Sequence, residues 1–398
     1  MKKLLLSLLF CFLAGPAFAG YSYYRSITVN VSQVSGGSNL TQFPVLVCAN
    51  GSGPCNVSIS GLKSVSNGGH VNYTDGNDII FTTDSGCSSL LTWEMENYVA
   101  STGEFEAWVT NASTALSAST NTTIYMCYGN SGQADTFQST ASNVWDSNYV
   151  LVYHLANGST LSGGNSVASG QNMTVNSGAS AGSGQVDGAA VLNGSSGYLN
   201  TSAFTLSADP TVLTFSAWIK ISSAAMANRN TIFSTTPDNA SGNWSIEVGT
   251  YSSDTNWLTV IEPGYFITYT NVNAYPTDGK FHYITYTRNT NASSAGGSLF
   301  IDGSPVTTTG AALSGGNLVD SGETKQIGER ATGSQFFNGT IDELRYSTNV
   351  RTNGWIKTEY NNQSNPANFY AVGAEQSTGP HQNLVKGVSK VSGVSLLN

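Results

Sequence analysis

The feature that most constrains the fold of this chain is its division into short strand-like segments separated by turn-forming residues. Apolar and polar positions alternate in segments such as SITVNV and EFEAWV, and Gly, Asn, Ser and Pro lie between the segments. A period of two is typical of half-buried strands. Helical spacing occurs only in NGWIKTEYNN, where we expect one surface helix or an extended closing segment before a final strand, FYAVGAEQ. The sequence therefore predicts an all-β fold of β-sandwich or jelly-roll domains.

The amino-acid composition supports an all-β extracellular protein. Only 10% of the 398 residues are charged, and 43 are Gly. Ordinary globular proteins carry about 25% charged residues, so a charged helical bundle is excluded. Aromatic residues make up 11% of the chain, which is enough to build cores. The many polar residues are therefore better explained as turns and sheet surfaces than as disorder.

The charge distribution and the N-terminus predict an exported protein that does not bind nucleic acid. The formal net charge is −9, and no basic patch precedes the C-terminal tail; phosphate backbones require clustered Lys and Arg. Residues 1–19 contain Lys2 and Lys3, an apolar run and a small-residue end at Ala19. This pattern predicts a cleaved signal peptide. The apolar run is too short to span a bilayer comfortably, so we expect a secreted or cell-surface protein that is not membrane-spanning.

Four cysteines remain after the predicted cleavage, and they suggest two disulfides. An even number of cysteines in an exported protein favours disulfide bonds over free thiols, although buried free thiols are the alternative. Three pairings are possible. We favour Cys48 with Cys55, which flank the turn-rich ANGSGP, and Cys87 with Cys127.

The first domain is expected at residues 20–130. The motifs FPVLV, NDIIFTTDSG, LLTWEMENY, GEFEAWV and TTIYMCYGN follow one another in this segment. In this order they resemble a bacterial β-rich family catalogued as domain of unknown function 2341. The resemblance implies a β domain with no assigned activity. Cys127 lies where that family usually has an aromatic residue, which suggests a variant of the family with local disulfide bonds. Residues 131–148 are polar and predict a linker.

The second domain is expected at residues 149–376. The motifs GQVDGAAVLNGSSGYL, LTFSAWIKI, DGKFHYITYTRN, GSLFIDGSPV, KQIGER and FFNGTIDELRYS occur there in order. They resemble laminin-G-like domains, which are jelly rolls of the concanavalin A type. The resemblance implies a binding or adhesion module for a glycan or a surface protein. Because one fold hosts many functions, it does not identify the ligand.

The laminin-G-like resemblance also implies a structural calcium site. Calcium-binding members often carry an acidic ligand shortly after the turn glycine, as Asp342 follows Gly339 here, and hard cations prefer several oxygen ligands. The turn Asn193 to Tyr198 offers carbonyl groups, and Asp187 offers a second carboxylate. The predicted ligands are Asp342, Asp187 and Asn193. In the alternative, Asp342 caps its own turn or pairs with Arg345 or Arg330. The neighbouring Glu343 carries no functional argument.

Glycan binding requires flat aromatic groups beside polar side chains. Aromatic residues lie among Asn and Asp between Tyr251 and Tyr275, and an exposed subset would suit sugars or protein partners. Alternation in WLTVIEPGYFITYT places about half of them in the core. The predicted ligand-binding residues are Tyr251, Trp257, Tyr265 and Tyr269.

Catalysis is not expected. Glu94 and Glu96 share one face of a strand, and two carboxylates on one face could act as acid and nucleophile on a glycoside. The run lacks the further acidic residues of jelly-roll glycosidases and lies outside the laminin-G-like segment, so a solvated strand face is favoured. His154 and His282 are expected to be satisfied core or sheet residues. A glycoside hydrolase remains the alternative.

The tail, residues 377–398, has a different composition. Val385, Val388, Val391 and Val394 recur every three residues. The period favours a fibre-like tail, and a flexible terminus is the alternative. A fibre-like tail would suit a structural surface or fibre component, including a phage appendage.

Overall fold

The computed structural model describes most of the chain between residues 20 and 379. The described residues are 20–379 apart from 52, 58, 111–114, 133–142, 156–159, 168–169, 207–211, 236–243, 252–253, 263–265, 271–273, 290–295, 311–321 and 331–332. The predicted signal peptide and most of the predicted tail lie outside the described residues. None of the helices in the described part has the length and hydropathy needed to cross a bilayer.

The first sandwich contains two antiparallel sheets. Its own strands are β1 (Tyr23–Val29), β2 (Val45–Ala49), β3 (Ile80–Thr82), β4 (Thr92–Val99), β5 (Glu104–Thr110) and β6 (Thr122–Tyr128). Strands β2, β5 and β4 form the three-stranded sheet in that order, and β1, β6 and β3 belong to the other sheet. Short 3-10 helices lie at Val31–Gln33 and Val65–Asn67.

The second sandwich contains two sheets of eight strands. Its strands are β7 (Tyr149–Tyr153), β8 (Thr174–Val175), β9 (Ala179–Ser183), β10 (Gly188–Asn193), β11 (Leu199–Asn200), β12 (Val212–Ile221), β13 (Arg229–Thr235), β14 (Ser245–Tyr251), β15 (Asp254–Glu262), β16 (Phe266–Thr270), β17 (His282–Asn289), β18 (Gly296–Ile301), β19 (Ser304–Pro305), β20 (Thr308–Gly310), β21 (Lys325–Ile327) and β22 (Asn338–Ser347). A 3-10 helix lies at Ala225–Ala227.

The order of these strands is that of a double-layered jelly roll. One sheet runs β19-β18-β17-β12-β22-β10-β9, with β7 also paired to β22, and the other runs β20-β16-β15-β14-β13-β21-β11-β8. A large apolar core, with Phe215, Ile284 and Ile341 among its members, fills the space between the two layers. The predicted all-β fold with a jelly-roll second domain is confirmed.

The C-terminal segment returns to the first sandwich. It contains α1 (Asn353–Ser364), α2 (Pro366–Phe369), β23 (Tyr370–Val372) and β24 (Gln376–Ser377). Strands β23 and β24 both pair with β1, and Val372 lies opposite Ile27. The predicted second domain, 149–376, therefore ends too late, because its last strands complete the sheet of the first. Strand pairing depends on contacts between segments that are far apart in the chain, and the local sequence pattern does not show it.

Helix α1 is buried between the domains rather than on the surface. The side chain of Thr352 caps its N-terminus by accepting a hydrogen bond from the N–H of Trp355. Trp355 lies in the core of the first sandwich and packs edge-on against Phe43, with ring centroids 4.9 Å apart. The expectation of a surface helix is therefore wrong, because the helix closes the space between two sheets.

A small third core joins the two sandwiches. Alternate residues of β2 serve different cores: Val45 and Val47 face the first sandwich, whereas Leu46 and Cys48 face the junction. Trp145, from the predicted linker 131–148, is only 3% exposed and packs in this junction. The described end of that segment is thus part of the domain contact rather than a free linker.

A β-bulge in β22 turns several charged residues toward this junction. Arg345 lies opposite Ser216 and Asp342 lies opposite Trp218, so β22 has one more residue than β12 over this span. The extra residue is Glu343, whose φ of 49° is left-handed. The bulge shifts the alternation by one position, so that Asp342, Glu343 and Arg345 all lie away from the jelly-roll core.

Both predicted disulfides are present. Cys48 is bonded to Cys55, and Cys87 is bonded to Cys127. The first closes a short loop that follows β2, and both of its cysteines lie in the core of the domain junction. The second ties the turn after β3 to β6, with which β3 pairs.

Candidate functional site

The most concentrated group of charged side chains lies between the two sandwiches. We call it the charge cluster, and its members come from β4, the end of β7, β22 and α1: Glu94, Glu96, His154, Glu343, Arg345 and Glu359. Each of these six side chains is at most 13% exposed. Burial at this level requires that charges be paired.

His154 is the centre of the charge cluster. Its Nδ1 atom lies 2.8 Å from Glu343 Oε1 and 3.4 Å from Glu96 Oε2, and its Nε2 atom lies 3.4 Å from Glu94 Oε2. The ring stacks on Trp108, with centroids 5.6 Å apart. Because both ring nitrogens face carboxylates, the ring is held as an imidazolium that bridges the two sandwiches.

The two carboxylates of β4 have further donors. Glu94 accepts hydrogen bonds from Trp145 Nε1 at 3.0 Å and from Ser166 Oγ at 2.5 Å. Glu96 accepts one from Trp108 Nε1 at 2.8 Å, while its Oε1 atom has no hydrogen-bond partner within the described structure. The pair is therefore covered by the second domain, and the predicted solvated face is wrong for these residues.

Arg345 supplies the second positive charge. Its Nη2 atom lies 2.7 Å from Glu343 Oε2, and its Nη1 atom donates to Glu359. The guanidinium also lies over the ring of Trp108, with 4.3 Å between Cζ and the centroid. The alternative in which Asp342 pairs with Arg345 is wrong, because the bulge brings the carboxylate of Glu343 to the guanidinium instead.

The protonation states follow from burial and from these contacts. Burial opposes charge on His154, but the carboxylates of Glu343, Glu96 and Glu94 outweigh it and hold the pKa of His154 well above its ordinary value. Burial raises the pKa of Glu96 well above its ordinary value, despite the opposing charge of His154. Burial acts in the same direction on Glu94, yet His154 and the hydrogen bonds keep the pKa of Glu94 below its usual range.

The charge cluster contains a group of donor atoms close enough to hold a metal ion, and its charged side chains contact one another across the domain junction. Donor atoms of Glu96, His154 and Glu343 lie within 4.8 Å of one another, as metal ligands would. However, both nitrogens of the ring already face carboxylates, and Arg345 places a positive charge beside Glu343. The contacts of His154 with Glu94, Glu96 and Glu343 join the two domains.

The predicted calcium ligands do not form one site. Asp342 is fully buried, and its Oδ2 atom accepts the N–H groups of Gln185 at 2.7 Å and Val186 at 3.0 Å. Asn193 is exposed and caps its own turn, accepting the N–H of Gly197 at 2.9 Å. Asn193 lies opposite Asn338 on β22, about 13 Å along the strand from Asp342. One ion cannot contact both residues.

The third predicted calcium ligand, Asp187, lies near the Asp342 end of the strand. It has a left-handed φ of 44° and accepts a hydrogen bond from Asn97 Nδ2 at 3.3 Å. It therefore contacts the first sandwich rather than the Asn193 turn. The expected set of Asp342, Asp187 and Asn193 is divided between the domain junction and the opposite end of the sheet.

The predicted aromatic platform is only partly within the described structure. Trp257 is 8% exposed and lies in β15, so its ring is not available as a platform. Tyr265 lies outside the described residues, as do the side chains of Tyr251 and Tyr269. Leu258 and Val260 of β15 lie in the jelly-roll core, so alternation places Trp257 on the opposite face of the sheet, where it is nevertheless buried.

A polar pocket opens at one end of the second sandwich. We call it the loop-edge pocket; its volume is about 510 Å³, and it is lined by Gly194, Ala225, Asn228, Arg229, Asn230, Gln335, Phe336 and Asn338. It forms where the turn after β10, the Ala225–Ala227 helix and the segment before β22 meet. Half-buried Phe336 lies beside Tyr198, with ring centroids 6.4 Å apart.

Hydrogen bonds fix the shape of the loop-edge pocket. Asn230 is 1% exposed; its Nδ2 donates to Ala225 O and Asn228 O at 2.9 Å, and its Oδ1 accepts the N–H of Asn338 at 3.0 Å. Arg229 Nε donates to Glu247 Oε2 at 2.7 Å. One polar residue thus joins three of the segments that line the pocket.

The sequence points to this edge but misses most of its residues. Gln335 and Phe336 come just before the Asn338-Gly339 turn of the motif FFNGTIDELRYS. The N–H of Thr250, which precedes Tyr251, donates to the carbonyl oxygen of the lining residue Asn228 at 3.2 Å. Asn228 and Arg229 carry no sequence signal, since their place depends on the long-range pairing of β13 with β14.

Another pocket lies at one end of the first sandwich. It measures about 530 Å³, and its lining includes Phe43, Leu90, Leu116 and Ile124. The polar groups in its lining are the hydroxyls of Ser and Thr, with no charged side chain among the described residues. It is an opening of the apolar core rather than a polar binding site.

Residues 193–378 match the family described as the concanavalin A-like lectin/glucanases superfamily. None of the curated protein sequences compared with the chain matches it. Domain 4 of AbnA, an extracellular GH43 arabinanase from Geobacillus stearothermophilus, is a similar solved structure. It is 15% identical, with 54% of this chain and 98% of that chain covered and a TM-score of 0.41.

Two other solved structures are similar. The binding domain of Paraclostridial Mosquitocidal Protein 1 is 13% identical, with coverages of 54% and 52% and a TM-score of 0.40. A heptameric SAP-like pentraxin from Limulus polyphemus is 15% identical, with coverages of 40% and 73% and a TM-score of 0.32. The chain spans about half the length of the toxin binding domain. The match supports a concanavalin A-like domain in the second part of the chain.

Proposed function

We propose that the protein is an exported carbohydrate-binding or adhesion protein that binds a glycan in the loop-edge pocket and has no catalytic activity. The observation that carries this proposal is the combination, in one pocket of about 510 Å³, of an aromatic ring with amide and guanidinium groups. Sugars are bound by stacking on aromatic faces and by hydrogen bonds to amides and charged groups. Phe336 supplies the ring, and Asn228, Gln335 and Arg229 supply the polar groups.

The family of residues 193–378 supports this choice, because its description includes lectins. The rigid frame around Asn230 supports it as well, since a preformed pocket avoids the entropic cost of ordering loops on binding. We propose the absence of catalysis because the second domain covers the carboxylates of Glu94 and Glu96. Export is proposed from residues 1–19 and from the two disulfides.

Binding to a glycan array, followed by calorimetry on the best ligand, tests the proposal. We expect Phe336→Ala to weaken binding at least about tenfold, because stacking on the ring is lost. Tyr125→Ala is the matched control, since Tyr125 is also a half-buried aromatic residue but lies on β6. Failure to bind any glycan, or unchanged affinity of a folded Phe336→Ala variant, would contradict the proposal.

The remaining assignments stay predictions. Residues 20–130 are proposed as a member of the domain 2341 family on the strength of five motifs in order. A role in a surface structure or fibre rests on the valine period of the tail, which lies beyond the described residues. A glycoside hydrolase is disfavoured by the covering of Glu94 and Glu96, and a polysaccharide panel assayed for reducing sugar tests it directly.

A further inference from the structure

A second polar cleft lies where both sandwiches and helix α1 meet. We call it the interdomain cleft; its volume is about 530 Å³. Residues that line it include Asn56, Gln185, Lys280, Phe281, Tyr360 and Ser364. Asn56 follows the Cys48–Cys55 loop of the first sandwich, while Tyr360 and Ser364 belong to α1. The cleft therefore exists only when the two domains are assembled.

The floor of the interdomain cleft is aromatic and rigid. Tyr360 stacks on Trp218, with centroids 5.7 Å apart and planes inclined by 28°. Trp218 is held in turn, because its Nε1 atom donates to Gln363 Oε1 at 2.6 Å. Phe281 is half-buried beside them. Flat faces fixed in this way suit the face of a sugar ring.

Lys280 lines the cleft, and two further lysines lie over aromatic rings of its lining. Lys220 Nζ lies 4.7 Å from the centroid of Phe281, and Lys357 Nζ lies 4.6 Å from that of Tyr360. The side chain of Lys280 is 79% exposed at the rim. In a chain with only 15 basic residues and a net charge of −9, this is a local concentration of positive charge.

The nearby acidic residues are already engaged. Asp278 and Asp302 lie 3.0 Å and 2.8 Å from the two ring nitrogens of His282. Asp278 Oδ2 is also 3.9 Å from Lys280 Nζ, a long contact between exposed groups that contributes little. No ion pair joins Lys220 to a carboxylate among the described residues. Lys220 and Lys280 are thus available to an anionic ligand.

We propose that the interdomain cleft binds an acidic oligosaccharide, with a uronate carboxylate at Lys280 and Lys220 and a sugar face on Tyr360 and Phe281. The neutral side chains of Asn56, Gln185 and Ser364 line the same cleft and match sugar hydroxyls. An extended acidic peptide fits less well, because β12, which carries Trp218, is an interior strand with no unpaired edge for a peptide to extend.

This site shares no residue with the loop-edge pocket, so it does not rest on the proposed function and either can fail alone. The charge of the ligand is the distinguishing property. The loop-edge pocket, whose Arg229 is paired with Glu247, offers amides, whereas the interdomain cleft offers lysines. A neutral sugar should therefore prefer the first site and a uronate the second.

Calorimetry of the full chain with a short oligogalacturonate and with its methyl ester tests the proposal. We expect the carboxylate form to bind, the ester to bind at least about tenfold more weakly, and added salt to weaken binding. Lys280→Gln should reduce affinity severalfold and Tyr360→Ala at least about tenfold. Lys280 is exposed, so its variant should fold even if the Tyr360 variant does not.

Two control variants show whether the oligogalacturonate binds at this cleft. Lys63→Gln, which removes an exposed lysine of the first sandwich, should not change affinity, nor should Phe336→Ala in the loop-edge pocket. No binding of oligogalacturonate would overturn the proposal, as would affinity unchanged by Lys280→Gln and Tyr360→Ala. Tighter binding of an oligoglutamate peptide, lost in the same variants, would replace the sugar with a peptide ligand.

Discussion

The imidazole of His154, in the second sandwich, lies 3.4 Å from the carboxylate of Glu94, in the first. This contact crosses the junction at a point where both side chains are nearly covered. The ion pairs at this point of the junction depend on the ionisation of a single ring. The charge cluster is therefore expected to control stability and its dependence on pH.

His154→Gln should reduce the free energy of unfolding by about 3–5 kcal/mol near pH 6, because it leaves buried carboxylates without their cation. The raised pKa of His154 means that its contribution is complete below about pH 6.5, its unfolded pKa, and is lost as pH rises through the higher folded value. Urea unfolding at pH 6 and pH 9 measures both effects.

The control for this variant is His70→Gln. The side chain of His70 is 37% exposed and lies 3.1 Å from Glu375, so its loss should cost less than about 1 kcal/mol. If His154→Gln were as stable as the parent chain and kept the same pH profile, the charge cluster would not hold the domains together.

Glu106→Gln should stabilise the protein at alkaline pH. Burial raises the pKa of Glu106 to about 7, and Asp187 adds to the increase. A raised carboxyl pKa costs stability as pH rises from about 4.5 to the folded value, and the neutral amide avoids this cost. We expect a gain of up to about 3 kcal/mol at pH 9 and none at pH 4.

Chemical denaturation at the two pH values checks this prediction, with Glu104→Gln as the control on the same strand. Glu104 is only half-buried, so its variant should change stability little. A gain for Glu106→Gln that is equal at pH 4 and pH 9 would show that ionisation is not its cause.

Asn362→Ala should destabilise the junction between α1 and the first sandwich by about 2–4 kcal/mol. The amide of Asn362 accepts the N–H of Leu46 at 2.7 Å and donates to Leu46 O at 3.0 Å. Its loss leaves two buried backbone groups of an edge strand without partners. Thermal unfolding measures this loss of stability, with Asn368→Ala, at an exposed position, as the control. Equal melting temperatures for the Asn362→Ala variant and the parent chain would contradict the prediction.

The two disulfides should contribute unequally. The Cys48–Cys55 bond spans 7 residues and the Cys87–Cys127 bond spans 40. Loop closure in the unfolded chain makes the first worth about 2 kcal/mol and the second about 4 kcal/mol. Paired Cys→Ala variants in urea measure the difference, and a larger loss for the short loop would contradict this account.

Much of the fold was predictable because local patterns determine it. Alternating segments and turn residues predicted strands, and the even cysteine count predicted two disulfides but not their pairing. The Asn338-Gly339 turn marked the start of β22. The site was less predictable: Glu94, Glu96 and His154 were noticed singly, but no local pattern showed that they meet.

The sequence by itself determined an all-β chain of the sandwich or jelly-roll type, since periodicity and turn chemistry act over a few residues. Only the tertiary structure decided where the C-terminal strands pair, that the bulge at Glu343 turns three charges toward the junction, and that α1 completes the interdomain cleft. These features depend on contacts between segments far apart in the chain, where one shift of register exchanges the buried face for the exposed one.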